Sequence, residues 1–297
     1  MDLQDSRPTD AQPANEPANE PANEPGAGRI AVVTGASSGI GAATALRLAR
    51  GGYTVALVAR RADRLTDLAA QIAGATGPNG GSGTAVPYPA DLTDPAAREQ
   101  VVTRIATDLG PVAVLVNSAG HGYYGTFAAM PWSDARAMIE LNVAAPVHLS
   151  GLVLPHMLAA GAGHIVNIGS GGAHVHFPGL ATYTGTKAFL AGYSTAAYRE
   201  LRRSGVHVSL LRCGDVRTEF FDSMAARSTR IPREPRMIPA ERVADAVWRV
   251  LRRPRRLVCV PGSMRLVAGL EQWLGWLLDR APMDPNLRTE LTTVAGR

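Results

Sequence analysis

Short apolar runs alternate with amphipathic segments along the chain from Arg29 onward. An apolar run of a few residues bounded by turn signals predicts a buried strand, and apolar positions at helical spacing predict a helix packed on one face. The predicted strands are residues 30–33, 53–59, 84–88, 112–116, 164–170, 206–211 and 257–260. The predicted helices are residues 41–50, 65–72, 95–109, 133–158, 182–203 and 240–252. This alternation predicts an α/β fold, a doubly wound parallel sheet with helices on both faces.

Three segments depart from the alternation and leave one domain, residues 29–262, between two tails. Residues 1–28 contain Pro-Ala-Asn-Glu three times in succession, a polar and proline-spaced repeat that predicts a disordered tail. Residues 215–239 are rich in proline and charge and predict a lid or substrate loop inside the domain. Residues 263–297 follow the last predicted strand and form the second tail.

The C-terminal tail carries apolar residues at helical spacing, which predicts an amphipathic helix. These apolar residues are Leu266, Leu270, Trp273, Leu274 and Leu277. Such a helix can cover a substrate cleft, pack at a subunit interface or lie on a membrane, where the arginines within residues 252–256 would attract acidic lipid. We favour packing on the protein's own fold or on a sister subunit over peripheral membrane contact.

Composition limits the classes of protein that fit this pattern. With 297 residues, of which 46% are apolar, the chain can bury one sizeable core. Cys213 and Cys259 form neither a disulfide framework nor a metal-binding spacing, so we expect a cytoplasmic protein without a metal site. We identify no signal peptide and expect no uncharged apolar run to reach the roughly 18 residues of a membrane span.

The charge is unevenly distributed along the chain. The formal net charge is +5, although residues 1–28 carry six acidic residues against one arginine, so the remainder is more basic still. A basic balance fits an anionic ligand, a nucleic acid or an acidic membrane surface without choosing among them. The sequence shows no basic patch interleaved with aromatic residues, and we expect no nucleic-acid partner.

Three glycines predict a phosphate-binding turn. Gly35, Gly39 and Gly41 follow the first predicted strand and open a helix, which is the context that makes a glycine motif informative. Gly35 permits a tight turn, Gly39 lets the backbone approach a pyrophosphate, and Gly41 allows close helix packing. The amides at the helix N-terminus then point toward the phosphates.

The second predicted strand ends in Arg60-Arg61. An NAD-binding protein usually places an acidic residue there, about 20 residues past the glycines, to hold the ribose hydroxyls. A carboxylate would repel a 2′-phosphate, whereas arginine binds one through charge-assisted hydrogen bonds. The pair predicts NADP(H) as the cofactor, and the alternative is that both arginines are ordinary solvated residues.

Tyr183 and Lys187 are four residues apart and share one side of a predicted helix. A nearby ammonium favours the charged form of a phenol, so we expect the pKa of Tyr183 to fall from about 10 toward working pH. Ser170 follows a buried strand, at the sheet edge where open α/β folds place their chemistry. A phenol beside a hydroxyl suits proton transfer to a carbonyl oxygen while a cofactor delivers hydride to the carbon.

The order of these motifs resembles the short-chain dehydrogenase/reductase family. The matching motifs are Thr34-Gly35-x-x-x-Gly39-x-Gly41, Asp91, Asn117-x-Ala119-Gly120, Asn142, Ser170 and Tyr183-x-x-x-Lys187, and they cover roughly residues 29 to 262. The resemblance implies a Rossmann fold of about seven strands in the order 3-2-1-4-5-6-7. It also implies an NADP(H)-dependent oxidoreductase that acts on a carbonyl or alcohol. The implied assembly is a homodimer or homotetramer, formed through the long helices near residues 133–158 and 182–203.

The resemblance also implies roles for individual residues. Tyr183 would be the general acid and base, and Lys187 would lower its pKa and hold the nicotinamide ribose. Ser170 would polarise the carbonyl, and Asn142 would anchor a water molecule in the proton relay. The implied cofactor contacts are Gly35, Ser37, Ser38, Gly39, Ile40, Gly41, Arg60, Arg61, Asp91, Leu92, Asn117, Ala119, Gly120, Tyr183, Lys187, Gly214, Val216 and Thr218.

Pro146 supports the role of Asn142 independently of the family. It lies four residues further along the same predicted helix and has no N–H, so the Asn142 carbonyl loses its helical donor and the helix should kink. The freed carbonyl could bind water, and the alternative is a purely structural kink.

Gly185 lies between Tyr183 and Lys187 in the predicted helix. Glycine at this position lowers the stability of the helix by up to about 1 kcal/mol relative to alanine.

Aromatic residues in the predicted loops indicate an apolar substrate pocket and hence a lipophilic carbonyl or alcohol substrate. These residues are Tyr123, Tyr124, Phe177, Phe220 and Phe221. His121, His174 and His176 lie in the same loops, where they either contact the substrate or are simply solvated.

Two other functions fit parts of the sequence. Gly35-x-Ser37-x-Gly39 also matches the nucleophile elbow of a serine hydrolase, which would make Ser37 the nucleophile but would leave Arg60 and the Tyr183 pair unexplained. A catalytically silent NADP(H)-binding sensor or scaffold is the second alternative, although a mere binder would not need Tyr183 and Lys187.

Overall fold

The computed structural model describes residues 26–74, 83–174, 176–225, 237–266, 273, 279–280 and 283–295. The strands are β1 Ile30–Thr34, β2 Thr54–Ala59, β3 Thr84–Pro89, β4 Val112–Asn117, β5 Gly163–Ser170, β6 Val206–Cys213, β7 Val216–Arg217, β8 Ile238–Pro239 and β9 Leu257–Val260. Seven of them form one parallel sheet in the order β3-β2-β1-β4-β5-β6-β9, while the short strands β7 and β8 pair with each other. The predicted sheet and its strand order are therefore confirmed, with β9 as the seventh strand.

Helices cover both faces of this sheet. They are α1 Gly39–Arg50, α2 Ala62–Gly74, α3 Pro95–Asp108, α4 Trp132–Ile139, α5 Ala145–Ala159, α6 Ala181–Glu200, α7 Glu219–Ala225, α8 Ala240–Arg252 and α9 Pro285–Ala295. A π-helical turn, Glu140–Ala144, joins α4 to α5.

Two apolar cores result from the alternation of side chains along the strands. In β1, Ala31 and Val33 pack in one core with residues of α1, α2 and α8, while Ile30 and Val32 pack in the other with α3 and α5. Because successive strand residues point to opposite faces, a strand covered on both sides must be apolar throughout. This requirement explains why the central strands read as continuous apolar runs. Because these strands are parallel, the polar residues at their carboxyl ends lie along one edge of the sheet.

Several predicted segments fall wholly or partly outside the described residues. These are most of the disordered tail at residues 1–28, part of the lid at residues 215–239, and most of the amphipathic helix beginning at Leu266. The described part of the lid segment consists of β7, α7 and β8. Helix α9 was not predicted as a separate element, because only Leu287 among its residues is buried.

The prediction about membrane-spanning segments needs a correction. Among the described residues, Trp132–Ala159 is long and apolar enough to cross a membrane by length and composition. In this fold the stretch lies against the sheet, where Leu149, Val153 and Met157 are buried in the core. Its apolar composition is therefore accounted for, at least in part, by packing on the sheet.

Candidate active site

A cavity of about 500 Å³ opens at the carboxyl ends of the central strands. It lies where the strand order reverses, between β1 and β4, which is where open α/β sheets bind ligands. The Thr34 hydroxyl fastens these two strand ends. It accepts hydrogen bonds from the backbone N–H groups of Ser118 and Ala119, both at 3.0 Å, and donates one to the Val116 carbonyl at 3.3 Å.

The three glycines of the glycine loop stand at positions with no room for a side chain. A Cβ atom on Gly35 would lie 2.8 Å from the Ala119 Cα, and one on Gly41 would lie 2.2 Å from the Gly35 carbonyl oxygen. Gly39 has φ +54° and would place its Cβ 2.7 Å from Thr218. The loop leads directly into the N-terminus of α1, whose first-turn amides attract anions. A bare backbone loop ending in a helix N-terminus fits the diphosphate of a dinucleotide cofactor.

Arg61 connects the glycine loop to α7. Its Nη2 donates hydrogen bonds to the hydroxyl oxygens of Ser37 and Ser38, both at 3.0 Å, and its Nη1 donates one to Glu219 Oε2 at 2.9 Å. Arg64 donates to the other Glu219 oxygen, also at 2.9 Å. Hydrogen bonds from these two arginines hold the pKa of Glu219 below its usual range. Sequence reasoning named Arg61 but missed Arg64, one helical turn further on, and Glu219, directly after Thr218.

Asp91 also lines the cavity, near Arg60. Its carboxylate accepts hydrogen bonds from the backbone N–H and the hydroxyl of Thr93, at 3.0 and 2.8 Å. Burial opposes its ionisation, yet these hydrogen bonds and the charges of Arg60 and Arg98 hold the pKa of Asp91 below its ordinary value. Asp91 is therefore an ionised acceptor at this end of the cavity.

Tyr183, Ser170 and Lys187 meet inside the same cavity. The hydroxyl groups of Tyr183 and Ser170 are hydrogen-bonded to each other, and the Lys187 Nζ lies 6.0 Å from the centroid of the Tyr183 ring. Ser170 ends β5, and its Oγ also accepts the backbone N–H of Gly172 at 3.1 Å. Lys187 is 8% exposed and donates a hydrogen bond to the Ile168 carbonyl at 3.1 Å.

The prediction of a lowered Tyr183 pKa is wrong for this structure. Burial raises the pKa of Tyr183 to about 12, and the hydrogen bond with Ser170 offsets this only in part. Burial also lowers the pKa of Lys187 to about 8. Helical spacing correctly places an amine near the phenol, but it does not account for the desolvation of both groups, which dominates here.

Asn142 supports the cavity from behind and does not line it. It is 1% exposed, its amide Nδ2 donates to the His121 carbonyl at 2.9 Å and to Thr186 Oγ1 at 3.1 Å, and its Oδ1 accepts the His121 N–H at 3.1 Å. The amide thus ties the loop after β4 to the helix of Tyr183. The kink expected from Pro146 takes the form of the π-helical turn, in which the Ala145 N–H bonds to the Glu140 carbonyl.

The structure does not place Asn117 as a cofactor contact. Its amide donates to Asn167 Oδ1 at 2.8 Å and to Ser150 Oγ at 3.4 Å, within a buried polar network that Asn167 extends to Ser194. Asn117 therefore holds the end of β4 against β5. The described residues that line the cavity include all the other predicted cofactor contacts, namely Gly35, Ser37, Ser38, Gly39, Ile40, Gly41, Arg60, Arg61, Asp91, Leu92, Ala119, Gly120, Tyr183, Lys187, Gly214, Val216 and Thr218.

Arg98 is a further residue that sequence reasoning missed. It is 2% exposed and donates hydrogen bonds to the Leu92 carbonyl at 2.7 Å and to the Glu140 carboxylate at 2.7 Å. It thereby links the cavity wall at Leu92 to the π-helical turn that carries Asn142. No sequence signal joins Arg98 to Glu140, because the two are 42 residues apart.

Apolar side chains form the other end of the cavity. The Phe220 ring lies 5.7 Å from the Tyr183 ring and 5.6 Å from the Phe221 ring, measured between centroids. Both phenylalanines line the cavity, together with Phe177, Leu180 and Met224. Tyr123 and Tyr124 are buried nearby and are not among the lining residues that the structure describes.

Helix α9 closes the back of this apolar end. Leu287 is 1% exposed and packs in one cluster with Tyr124 and Met224, against which Phe220 and Phe221 also pack. Glu290 accepts the backbone N–H of Thr126 at 2.8 Å, which fixes the helix to the loop after β4. Helix α9 therefore packs on the protein's own fold and supports the wall of the cavity, whereas Leu266 and Trp273, the described residues of the predicted amphipathic stripe, are exposed.

The predicted loop histidines separate into different environments. His121 lines the cavity. His174 lines a second pocket instead, because the short helix after Ser170 turns it away toward Arg212. Among the described residues there is no cluster of three or more His, Cys, Asp or Glu side chains that could hold a metal ion.

The fold and the cavity define a nucleotide-binding oxidoreductase. A family model described as short chain dehydrogenase matches residues 29–228, and the chain belongs to the short-chain dehydrogenase/reductase family.

The solved structures that are similar to this chain include two short-chain dehydrogenases. A short-chain dehydrogenase from Sphingobium yanoikuyae in complex with NADPH has a TM-score of 0.72 and 30% identity, covering 86% of this chain and 97% of the other. One from Burkholderia phymatum in complex with NAD has a TM-score of 0.74, covering 87% and 98%, and at 24% identity it shows the fold alone. The family and the NADPH complex of the Sphingobium structure support a nicotinamide dinucleotide as cofactor.

A curated relative is similar over a shorter length. A very-long-chain 3-oxoacyl-CoA reductase of Mycosarcoma maydis is 38% identical over 184 residues, which are 61% of this chain and 51% of that protein. The chain spans about half of the length of this relative and a smaller share of a second curated relative.

Proposed function

We propose that the protein uses NADP(H) to interconvert a carbonyl and an alcohol on a lipophilic substrate, with Tyr183 as general acid and base. The observation that carries the proposal is the meeting of three groups in one cavity. The Tyr183 phenol is hydrogen-bonded to the Ser170 hydroxyl, and the Lys187 amine is 6.0 Å from the phenol ring. The glycine loop lines the same cavity.

Residues already in place would hold the cofactor. The glycine loop and the N-terminus of α1 fit its diphosphate, Arg61 fits a 2′-phosphate, and Lys187 and Thr218 match the family's contacts to the nicotinamide end. Bound NADPH supplies the hydride, which no side chain can donate.

The proton comes from Tyr183 in the reductive direction. The carbonyl oxygen accepts the phenolic proton while the carbon accepts hydride, which leaves an alcohol and a Tyr183 phenolate. Because burial raises the pKa of Tyr183 to about 12, the phenol keeps its proton at neutral pH and is ready to donate. The Ser170 hydroxyl polarises the carbonyl, and the Lys187 ammonium stabilises the phenolate that burial would otherwise disfavour. In the family pattern a water at Asn142 then returns the proton.

Arginine side chains support a preference for NADP(H) over NAD(H). Arg60 and Arg61 follow β2, where an NAD-binding protein usually carries an acidic residue, and Arg64 lies one turn further on. Arg61 is already held beside Ser37 and Ser38 by hydrogen bonds. Its guanidinium can exchange Glu219 for the stronger charge of a 2′-phosphate.

The apolar end of the cavity supports a lipophilic substrate. Its walls carry Phe177, Phe220 and Phe221, and burial of apolar surface against them contributes about 25 cal/mol per Å². The similarity to a very-long-chain 3-oxoacyl-CoA reductase points in the same direction, toward a ketone with a long or bulky apolar body.

Two alternatives receive less support from the site. As a hydrolase nucleophile, Ser37 would need a base, but its Oγ accepts hydrogen bonds from Arg61, a cation that cannot accept a proton. A silent cofactor-binding scaffold would leave unexplained why Tyr183, Ser170 and Lys187 converge within the cavity.

The context of the reaction is also part of the proposal. Residues 29–262 would act as the catalytic domain of a cytoplasmic homodimer or homotetramer. Apolar side chains exposed on the long helices support an interface there, namely Ile139, Leu158 and Phe189.

The test is NADPH oxidation against a panel of apolar ketones and aldehydes, run with the wild type, Tyr183→Phe and Tyr193→Phe. General acid catalysis contributes about 10²- to 10⁴-fold, so we expect Tyr183→Phe to lose about 10³-fold in kcat while NADPH still binds, as followed by its fluorescence. Tyr193, on the same helix and hydrogen-bonded to Ser150, is the matched control and should retain activity. Full turnover by Tyr183→Phe, or NADPH binding without oxidation by any carbonyl, would contradict the proposal.

A further inference from the structure

A second pocket lies behind the active-site cavity, across strand β6. Cys213 lines the cavity, and its neighbour Arg212 lines the second pocket, because successive strand residues point to opposite faces. Helix α6 supplies another wall with Arg199 and Thr195, and Arg256 contributes from the segment before β9. None of the described residues that line this pocket is acidic.

Arg212 is the buried floor of the pocket. Its residue is 8% exposed, and its Nη2 donates a hydrogen bond to the His174 Nε2. That bond requires His174 to be neutral, and burial together with the charge of Arg212 lowers the pKa of His174. The Arg212 Nε is buried and has no hydrogen-bond partner among the described residues. A buried guanidinium with an unmet donor is costly unless a ligand completes its hydrogen bonds.

Two exposed arginines add to the positive charge. Arg199 and Arg256 are both exposed at the rim, and Arg256 Nη1 makes a long hydrogen bond of 3.4 Å to Thr195 Oγ1. Burial lowers the pKa of Arg212, and the charge of Arg256 acts in the same direction, so the two guanidinium groups repel each other. Because arginine stays charged in proteins, an anion bound between the two groups would relieve this repulsion.

We propose that this pocket binds an organic phosphate, with its phosphate group between Arg212, Arg199 and Arg256 and its apolar body against the alanine and leucine side chains of the wall. Guanidinium groups match phosphate oxygens in shape and charge. Three positive groups complement a phosphate dianion better than they complement a singly charged carboxylate. Leu210 and Leu257 provide the apolar surface next to the charges. The pocket is separate from the glycine loop, so the proposal does not depend on the oxidoreductase activity.

The test is isothermal titration calorimetry of the full-length protein, saturated with NADPH so that the cofactor's own phosphate sites are filled. Phenyl phosphate and inorganic phosphate are the probes, at constant ionic strength set with chloride. We expect one site per chain and tighter binding of phenyl phosphate. Arg199→Gln and Arg256→Gln each remove a hydrogen bond between charged groups, so each should weaken binding of phenyl phosphate about tenfold.

Arg255→Gln is the matched control, because Arg255 adjoins Arg256, is exposed and does not line the pocket among the described residues. It should leave the affinity unchanged. Arg212→Gln should abolish binding, with its melting temperature measured to verify folding; if it fails to fold, the two rim variants decide. No binding by the wild type, or equal losses in Arg255→Gln and Arg256→Gln, would overturn the proposal.

Discussion

The two ends of the active-site cavity are formed by different parts of the protein. The glycine-loop end is built on strand tips and glycine backbone, where Gly41 has no space for a Cβ, and it also carries the charged side chains of Arg61 and Asp91. The far end consists of side chains from α7 and the loop before α6, supported by Leu287 of α9 outside the sheet. Steric fit of the backbone therefore controls one end and side-chain packing controls the other. Substitutions should separate cofactor binding from substrate binding accordingly.

Among the substitutions that separate the two ends, the largest effect on binding is expected from Gly41→Ala. The new Cβ would lie 2.2 Å from the Gly35 carbonyl oxygen, so the loop must move. Overpacking costs about 1–3 kcal/mol, and at the upper end of that range NADPH would bind about a hundredfold more weakly. Gly185→Ala is the control, because that position has open space around it and a helical alanine stabilises by up to about 1 kcal/mol. Fluorescence titration with NADPH would show whether Gly41→Ala weakens NADPH binding while Gly185→Ala does not.

A smaller effect is expected from Arg61→Ala. Loss of a charged hydrogen bond of about 2 kcal/mol should reduce the preference for NADPH over NADH about thirtyfold, measured as the ratio of kcat/KM values. Glu219→Gln should act in the opposite direction, since it removes the carboxylate that Arg61 now contacts at 2.9 Å. An unchanged ratio in Arg61→Ala would assign the preference to other residues.

The pH dependence of carbonyl reduction should report the protonation of Lys187. Burial lowers the pKa of Lys187 to about 8, so Lys187 is charged below that pH and neutral above it. Only the charged form stabilises the Tyr183 phenolate, so carbonyl reduction should be constant below about pH 8 and fall about tenfold per pH unit above it. In Lys187→Met the rate should be low and this fall should disappear. A reduction rate that rises through pH 8 would contradict the assignment.

The smallest effect is expected at the apolar end. Leu287→Ala would leave a cavity behind Met224 and Tyr124 and loosen the wall. We expect about a threefold rise in the KM for bulky ketones, with NADPH affinity unchanged, since such packing changes alter specificity modestly. Val294→Ala, exposed on the same helix, is the control. Equal KM values for Leu287→Ala and the wild type would remove α9 from the substrate site.

Local patterns in the sequence were sufficient to predict the sheet and the glycine-loop end. Strand β9 and helix α8 have the predicted bounds, because apolar runs and helical periodicity are local signals. The glycine motif is equally local, since its backbone geometry involves few residues.

The remaining features depend on contacts between distant residues. Asn117 ends β4, and its partner Asn167 is 50 residues away, so the sequence could not show that its amide bonds within the core. The pKa of Tyr183 depends on burial by the whole fold, which outweighs the nearby amine that spacing predicts. Helix α9 escaped prediction because it buries a single apolar residue and has no stripe.

Thr218 and the first two residues of α7 contact both ends of the cavity. Thr218 lies against Gly39, Glu219 is ion-paired with Arg61, and the Phe220 ring lies beside that of Tyr183. Under the proposed function, a displacement of this short helix would uncover the cofactor and the substrate at the same time, so that their residence times would be linked.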